Sequence, residues 1–146
     1  MAAIVPSVPK FEIPPGTLRL LGGEAVCIGD AWPSPRFRYQ AVQALAGFLG
    51  RSDLSLMALL QVNERTALRR KEGGELSAEE SDRLARLARI TRTAIESLGD
   101  EQRAREWMTR ENRALREQVP LHLAVTDAGA ELVADELGRI EYGLLF

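Results

Sequence analysis

The run Leu56-Met57-Ala58-Leu59-Leu60-Gln61-Val62-Asn63-Glu64-Arg65-Thr66-Ala67-Leu68-Arg69-Arg70-Lys71 constrains this chain more than any other stretch. Leu56, Leu59 and Leu60 recur at helical spacing, and Ser52 or Asp53 stands where a cap for that helix belongs. Asn63 interrupts the apolar pattern and suits the N-cap of a second helix, which Gly73-Gly74 ends. The stretch therefore predicts a short apolar helix, a tight break, and a second helix rich in cations.

Projected at about 100° per residue, Ala67 and Leu68 are expected on the inner side of that second helix. Arg65, Thr66, Arg69 and Arg70 then occupy the outer arc, and Lys71 falls near the inner one, snorkelling or facing phosphate. This is the pattern of a helix-turn-helix, whose second helix enters a DNA major groove. Small or apolar residues seat such a helix while long donors reach bases and phosphates; the planar fork of Arg bonds guanine N7 and O6 together. A run such as Arg69-Arg70-Lys71 is by itself an ordinary solvated face. The preceding short helix, the Asn63 cap and the glycine stop are what point it to DNA. The candidate DNA-binding residues are Arg65, Thr66, Arg69, Arg70 and Lys71, with a protein partner for the same face left open.

Helical periodicity continues on both sides. A helix is expected over 38–49, with Ala41, Leu45, Phe48 and Leu49 on its apolar stripe and Gly50 at its end. Ser77-Ala78-Glu79-Glu80 has the form of a capping box. A long helix follows to about Leu98, its core face running through Leu84, Leu87, Ala88, Thr91, Ala94 and Ile95. Asp100 suits the cap of a helix carrying Ala104, Trp107 and Met108 inward, and Thr126 that of a last helix with Val133, Leu137 and Ile140 on one side. Arg83, Arg86, Arg89 and Arg92 recur among Glu79, Asp82 and Glu96, which predicts a salt-bridged surface. Before Phe37, the density of proline and glycine prevents a continuous helix. There Leu18, Leu20, Leu21, Val26 and Ile28 leave a short strand and a packed arm both open. The expected class is all-α, with an irregular proline-rich arm over 1–36.

A net charge of −2 argues against a general polyanion binder, so any DNA contact must rest on a few local cations. The single cysteine, Cys27, excludes an intrachain disulfide and a cysteine-based zinc cluster within one chain. The single histidine, His122, is expected in a loop or core rather than as a ligand or triad member. No phosphate-cradling glycine loop or paired metal ligands can be assembled, so we expect no enzyme, metal or cofactor. No apolar run approaches the roughly 20 residues that span a bilayer, and no basic segment with an apolar core opens the chain. A cytoplasmic protein without a membrane partner is expected.

Several short segments are distinctive in their order and spacing. Arg65-Thr66-Ala67-Leu68-Arg69-Arg70-Lys71 is followed by Leu76-Ser77, Glu80-Ser81-Asp82-Arg83-Leu84, Gly99-Asp100 and Trp107. Asn112-Arg113-Ala114-Leu115, Pro120-Leu121, Thr126, Gly129 and Leu137-Gly138-Arg139-Ile140-Glu141-Tyr142-Gly143 come next. Over roughly Phe37 to Phe146 the chain thereby resembles Xre-type antitoxins carrying the MbcA/ParS/Xre toxin-binding domain. The resemblance implies an Xre-like helix-turn-helix module over 37–98 and a small helical toxin-binding module over 99–146. It also implies a partner, a RES-domain toxin similar to ADP-ribosyltransferases that consumes NAD. The C-terminal helix and tail would cover the toxin's NAD-binding cleft, and the pair would repress its own operon through operator DNA.

On that resemblance the toxin-binding candidates are Arg139, Glu141, Tyr142, Gly143 and Leu144. Arg139 supplies a forked donor and Tyr142 a rigid anchor, while Leu144-Leu145-Phe146 form an apolar end that needs cover. The chain departs from the pattern at Gln61, where such turns carry Gly, which predicts a less tightly bent turn. Glu111 stands in place of a Pro, and Gln118-Val119 lies at or near an expected Gly-rich pair. A homodimer is expected because major-groove readers pair half-sites roughly 34 Å apart. Two alternatives remain: a stand-alone dimeric helix-turn-helix regulator with a self-buried tail, and a toxin binder with a degenerate DNA module.

Overall fold

Short polar side chains set where the helices begin. Ser52 accepts from the Ser55 N–H at 3.1 Å, Asn63 from Thr66 at 2.8 Å, and Thr126 from Gly129 at 3.0 Å. Ser77 and Glu80 form the full capping box, the hydroxyl accepting from Glu80 N–H while the carboxylate accepts from Ser77 N–H. Asp100 caps through Gln102 N–H. Gly50, Gly74 and Gly99 adopt the left-handed conformation that ends the helices before them.

The computed structural model describes residues 15–23, 26, 28 and 36–143. Within them run α1 (Pro15–Leu20), α2 (Gln40–Leu49), α3 (Asp53–Leu59), α4 (Glu64–Gly73) and α5 (Ala78–Leu98). After these come α6 (Glu101–Thr109), a 3-10 turn (Arg113–Leu115), α7 (Pro120–Leu123) and α8 (Asp127–Glu141). No strand occurs among the described residues, so the class is all-α. Cys27 and Leu144 lie outside the described residues.

The long α5 is the central element, with Leu84, Leu87, Ala88, Thr91 and Ala94 buried and α1, α6 and α8 packed on it. The Thr91 hydroxyl donates to Leu87 O at 2.8 Å, which satisfies the one polar group on this apolar stripe. Trp107 is half-buried against the core while Ala104 and Met108 are fully inside. His122 is exposed on the short α7.

The N-terminal region is both more helical and better packed than proline density predicts. Pro15 is the first residue of α1, the one helical position where its missing N–H costs nothing. Leu20, Leu21 and Val26 are buried in the same core as α2 and α5. Beyond α1, Ile28 N–H donates to Arg36 O at 2.9 Å and Arg38 N–H to Val26 O at 2.6 Å. The first long helix starts at Gln40 rather than Arg38 because the preceding backbone is already bonded elsewhere. Leu76 N–H donates to Phe37 O at 3.0 Å, Tyr39 N–H to Gly74 O at 2.8 Å, and Phe37 N–H to the buried Ser81 hydroxyl.

The turn after α3 is as tight as a glycine turn, contrary to expectation. Gln61 has φ 63°, Gln61 N–H donates to Ala58 O at 3.0 Å, and Val62 N–H reaches back to Met57 O at 3.1 Å. A left-handed non-glycine residue costs about 1–2 kcal/mol, partly offset because glycine would lose more entropy on folding. Gln61→Gly is therefore expected to stabilise the chain by about 0.5–1 kcal/mol, raising Tm by roughly 2–3 °C in a thermal melt. An unchanged or lower Tm would show that the turn carries no strain. The other left-handed non-glycine residues are Arg116 (φ 56°) and Glu117 (φ 63°), which directly precede the expected Gln118-Val119. Gly129 is held by a different constraint: an added Cβ would sit 1.8 Å from the Leu123 carbonyl oxygen. Since backbone cannot swing aside as a flexible side chain can, Gly129→Ala should cost about 3 kcal/mol. A Tm loss of less than about 3 °C in the same melt would contradict that packing.

Candidate functional site

Leu56, Met57, Leu60, Val62 and Ala67 are buried and seat α3, its turn and α4 as a helix-turn-helix. Ala67 is the only buried residue of α4. Its direction, rather than a midpoint between Ala67 and Leu68, defines the inside of the helix. That rotates the expected wheel and corrects two placements: Leu68 is 46% exposed, and Arg70 is turned inward and half-buried. Arg70 lies about 60° and Lys71 about 40° from Ala67 on the wheel, so both face neighbouring helices.

Each of these two inward cations meets a carboxylate. Arg70 Nε donates to both oxygens of Glu80 at 3.0 Å, and the Glu80 residue is only 6% exposed. Lys71 Nζ lies 3.1 Å from Asp53 Oδ2, which also accepts from the Tyr39 hydroxyl at 3.0 Å. Burial acts to raise the Asp53 pKa, but hydrogen bonds from Lys71, Tyr39 and the Leu54 N–H outweigh it and hold the carboxyl below its ordinary value. Burial, the hydrogen bond to Asp53 and its negative charge push the Tyr39 phenol well above its ordinary range.

Arg65 and Arg69 differ. Both are exposed, one turn apart, and neither has a hydrogen bond or ion pair among the described residues. Leu68 and Glu72 share their face, and Glu64 lies beside it. Thr66 is half-buried at the side, lining a groove between α4 and the start of α5 with Asn63, Arg70, Ser77 and Arg83. Of the five sequence-predicted residues, Arg65 and Arg69 are thus free, Thr66 is lateral, and Arg70 and Lys71 are engaged in the fold.

The arginine row of α5 also departs from expectation. Arg83 donates to Leu60 O at 3.0 Å, and Arg86 donates to Val125 O at 3.1 Å while pairing with Asp127 at 2.8 Å. Only Arg92, with Glu96 at 3.4 Å, forms the expected pair along the helix. Arg83 and Arg86 thus tie α5 to other segments rather than joining a lattice on its surface.

On α8, Ala130, Val133 and Leu137 face the core while Leu132 (55% exposed), Asp135, Arg139 and Tyr142 (79% exposed) form the outer face. Arg139 pairs with Glu136 at 3.4 Å, and Glu141 accepts from the Ser97 hydroxyl at 3.3 Å. Gly143, with φ 65°, turns the chain out of the helix. Leu132 is an outward apolar residue that the sequence reading missed; its offset of one position from Val133 was the available signal.

Comparison with known proteins matches both halves of this arrangement. Residues 36–89 match the antitoxin Xre-like helix-turn-helix domain, and residues 93–143 the antitoxin Xre/MbcA/ParS C-terminal toxin-binding domain. The chain belongs to the Xre-type antitoxin family. An antitoxin Xre of Photorhabdus laumondii subsp. laumondii is 36% identical over 98 residues, 66% of this chain and 65% of that protein. An antitoxin Xre of Yersinia enterocolitica serotype O:8 is 36% identical over 77 residues, 52% of each. The chain thus spans about two thirds of the length of one relative and about half of the other. Both family matches take in part of α5, so in this Xre-family chain one helix serves both domains. No helix among the described residues is long and apolar enough to cross a membrane.

The Asp53 cluster joins α2, α3 and α4, so its titration is expected to reach α4. A carboxyl whose folded pKa is depressed contributes stability above its unfolded value of about 3.9 and loses it as pH falls through the folded value. Asp53→Ala should cost about 2 kcal/mol at pH 7. The gap between variant and parent should close below about pH 4 in urea melts. A gap independent of pH would mean that the carboxylate's charge is not what holds Lys71 and Tyr39.

Proposed function

We propose that the chain is the antitoxin of a type II toxin–antitoxin pair, holding a RES-domain toxin with its C-terminal domain and repressing its own operon by binding operator DNA. The observation that carries the DNA half is the sorting of the α4 cations. Two are paired with carboxylates of neighbouring elements, and two stand free on the exposed face of a helix seated as a major-groove reader is seated. Family membership carries the toxin half, supported by the outer face of α8, where Tyr142 is left open to solvent beside Arg139. A regulator acting alone, with a tail folded back on itself, offers no account of that open end.

In this reading the protein has no reaction of its own. Arg139, Glu141, Tyr142, Gly143 and Leu144 lie at or beyond the end of α8 and cover the toxin's NAD-binding cleft, so neutralisation is occlusion. The NAD chemistry belongs to the toxin. On DNA, Arg65 and Arg69 supply forked donors to guanine or phosphate, and two copies place their α4 helices in half-sites roughly 34 Å apart.

The two halves separate by mutation. Arg69→Ala is expected to weaken operator binding about five- to hundred-fold in a gel-shift titration and to leave toxin capture unchanged. Deleting residues 139–146 should abolish protection from NAD loss in cells expressing the toxin, while DNA binding persists. Protection by the truncated chain would remove the occluding tail. Affinity unchanged by Arg69→Ala would remove that residue from the DNA contact.

A further inference from the structure

Leu68 is the one apolar residue on the exposed face of α4. It is 46% exposed on a helix whose only buried side chain is its neighbour Ala67. Arg69 adjoins it, and Arg65 lies one turn before it, both unpaired among the described residues. An exposed leucine alone is unremarked on most surfaces. Here it lies on the exposed side of the helix, one turn after one free guanidinium and directly before the other, away from the side on which Ala67, Arg70 and Lys71 meet neighbouring elements.

We infer that Leu68 is a base-reading residue, seating its side chain on the C5-methyl group of a thymine in the operator half-site. The inference rests on the DNA-binding reading above. In the major groove, thymine presents a carbonyl acceptor and a methyl group, and the methyl is the one apolar feature distinguishing its edge. An arginine cannot use that feature, and a leucine can. The axial distance from Arg65 to Arg69 is about 6 Å at 1.5 Å per residue, which covers about two base steps of 3.4 Å. Glu64 and Glu72 bracket this short segment and repel phosphate on either side. The readout per copy is therefore narrow: guanine contacts from the arginines and a thymine methyl under Leu68, on adjacent base pairs.

The test uses the full chain and a random pool of DNA duplexes, from which it selects its site. The selected duplex is then remade with deoxyuridine in place of each thymidine in turn, which removes one methyl group and changes no hydrogen bond. One position in each half-site is expected to lose about four-fold in affinity, the worth of one buried methyl. Leu68→Ala should bind the thymidine and deoxyuridine duplexes equally, and circular dichroism should match the parent because the residue is half outside the core. If the parent binds every deoxyuridine duplex as tightly as the original, or Leu68→Ala keeps the same sensitivity, Leu68 does not read thymine while DNA binding stands. If no duplex is enriched and binding shows no salt dependence, the DNA reading fails and this inference with it.

Discussion

A carboxylate removed from water is costly unless its lone pairs are filled, and Glu80 is filled from two directions. Its oxygens take the Arg70 Nε–H from α4 and the Ser77 N–H from the first turn of its own helix. One side chain therefore starts α5 and fixes α4 against it. This matters because α4 has a single buried residue, Ala67, and one methyl group cannot set the roll of a helix. The roll is set by ion pairs instead: Arg70 with Glu80 on one flank and Lys71 with Asp53 on the other. With those two cations committed, the direction in which Arg65, Leu68 and Arg69 point is decided.

The same helix carries the opposite end of the molecule. Arg83 holds the carbonyl of Leu60, the last before the turn into α4, where a guanidinium also complements the helix C-terminus. One turn later Arg86 holds Val125 O and Asp127 at the start of α8. The turn of the helix-turn-helix and the start of α8 are thus fastened to adjacent turns of α5. This is why the two family matches meet inside a helix rather than at a flexible linker. A charged donor to a carbonyl contributes about 1.5–3 kcal/mol where it is sheltered, enough for each contact to fix a position without a large apolar interface.

The features legible in the sequence were those whose cause is local. Asn63, Ser77, Asp100 and Thr126 cap helices because their side chains reach N–H groups two or three residues on, and sequence spacing records that distance. The roll of α4 was not legible. Ala67 and Leu68 are adjacent and both apolar, and only the distant Glu80 and Asp53 decide which of them faces in. The recipients of Arg83 and Arg86 are likewise far away in sequence, so the periodic row by itself predicts only a surface lattice. At Gln61 the residue type pointed one way and the backbone went the other, because hydrogen bonds from Gln61 and Val62 hold the turn whatever side chain stands there. The short helix α1 was not legible for a different reason: proline excludes a helix only from its interior, and Pro15 stands at the first position of α1.

Committing cations to the fold has a consequence for how such a protein binds DNA. Net charge is −2, so no general field draws the chain to a polyanion. Of the four cations on α4, two are spent internally. Two free guanidiniums neutralise few phosphates, and each neutralised phosphate adds only one increment to the salt-dependent part of the affinity. A face covering about two base steps is also too short to single out a site in a genome. Pairing two copies doubles both the charge and the sequence read, and it does so only at the correct half-site spacing. On the proposed function, a chain built this way would be weak on DNA alone and selective when paired. On that same proposal, whatever governs the pairing of copies would then govern how firmly the helix-turn-helix holds DNA.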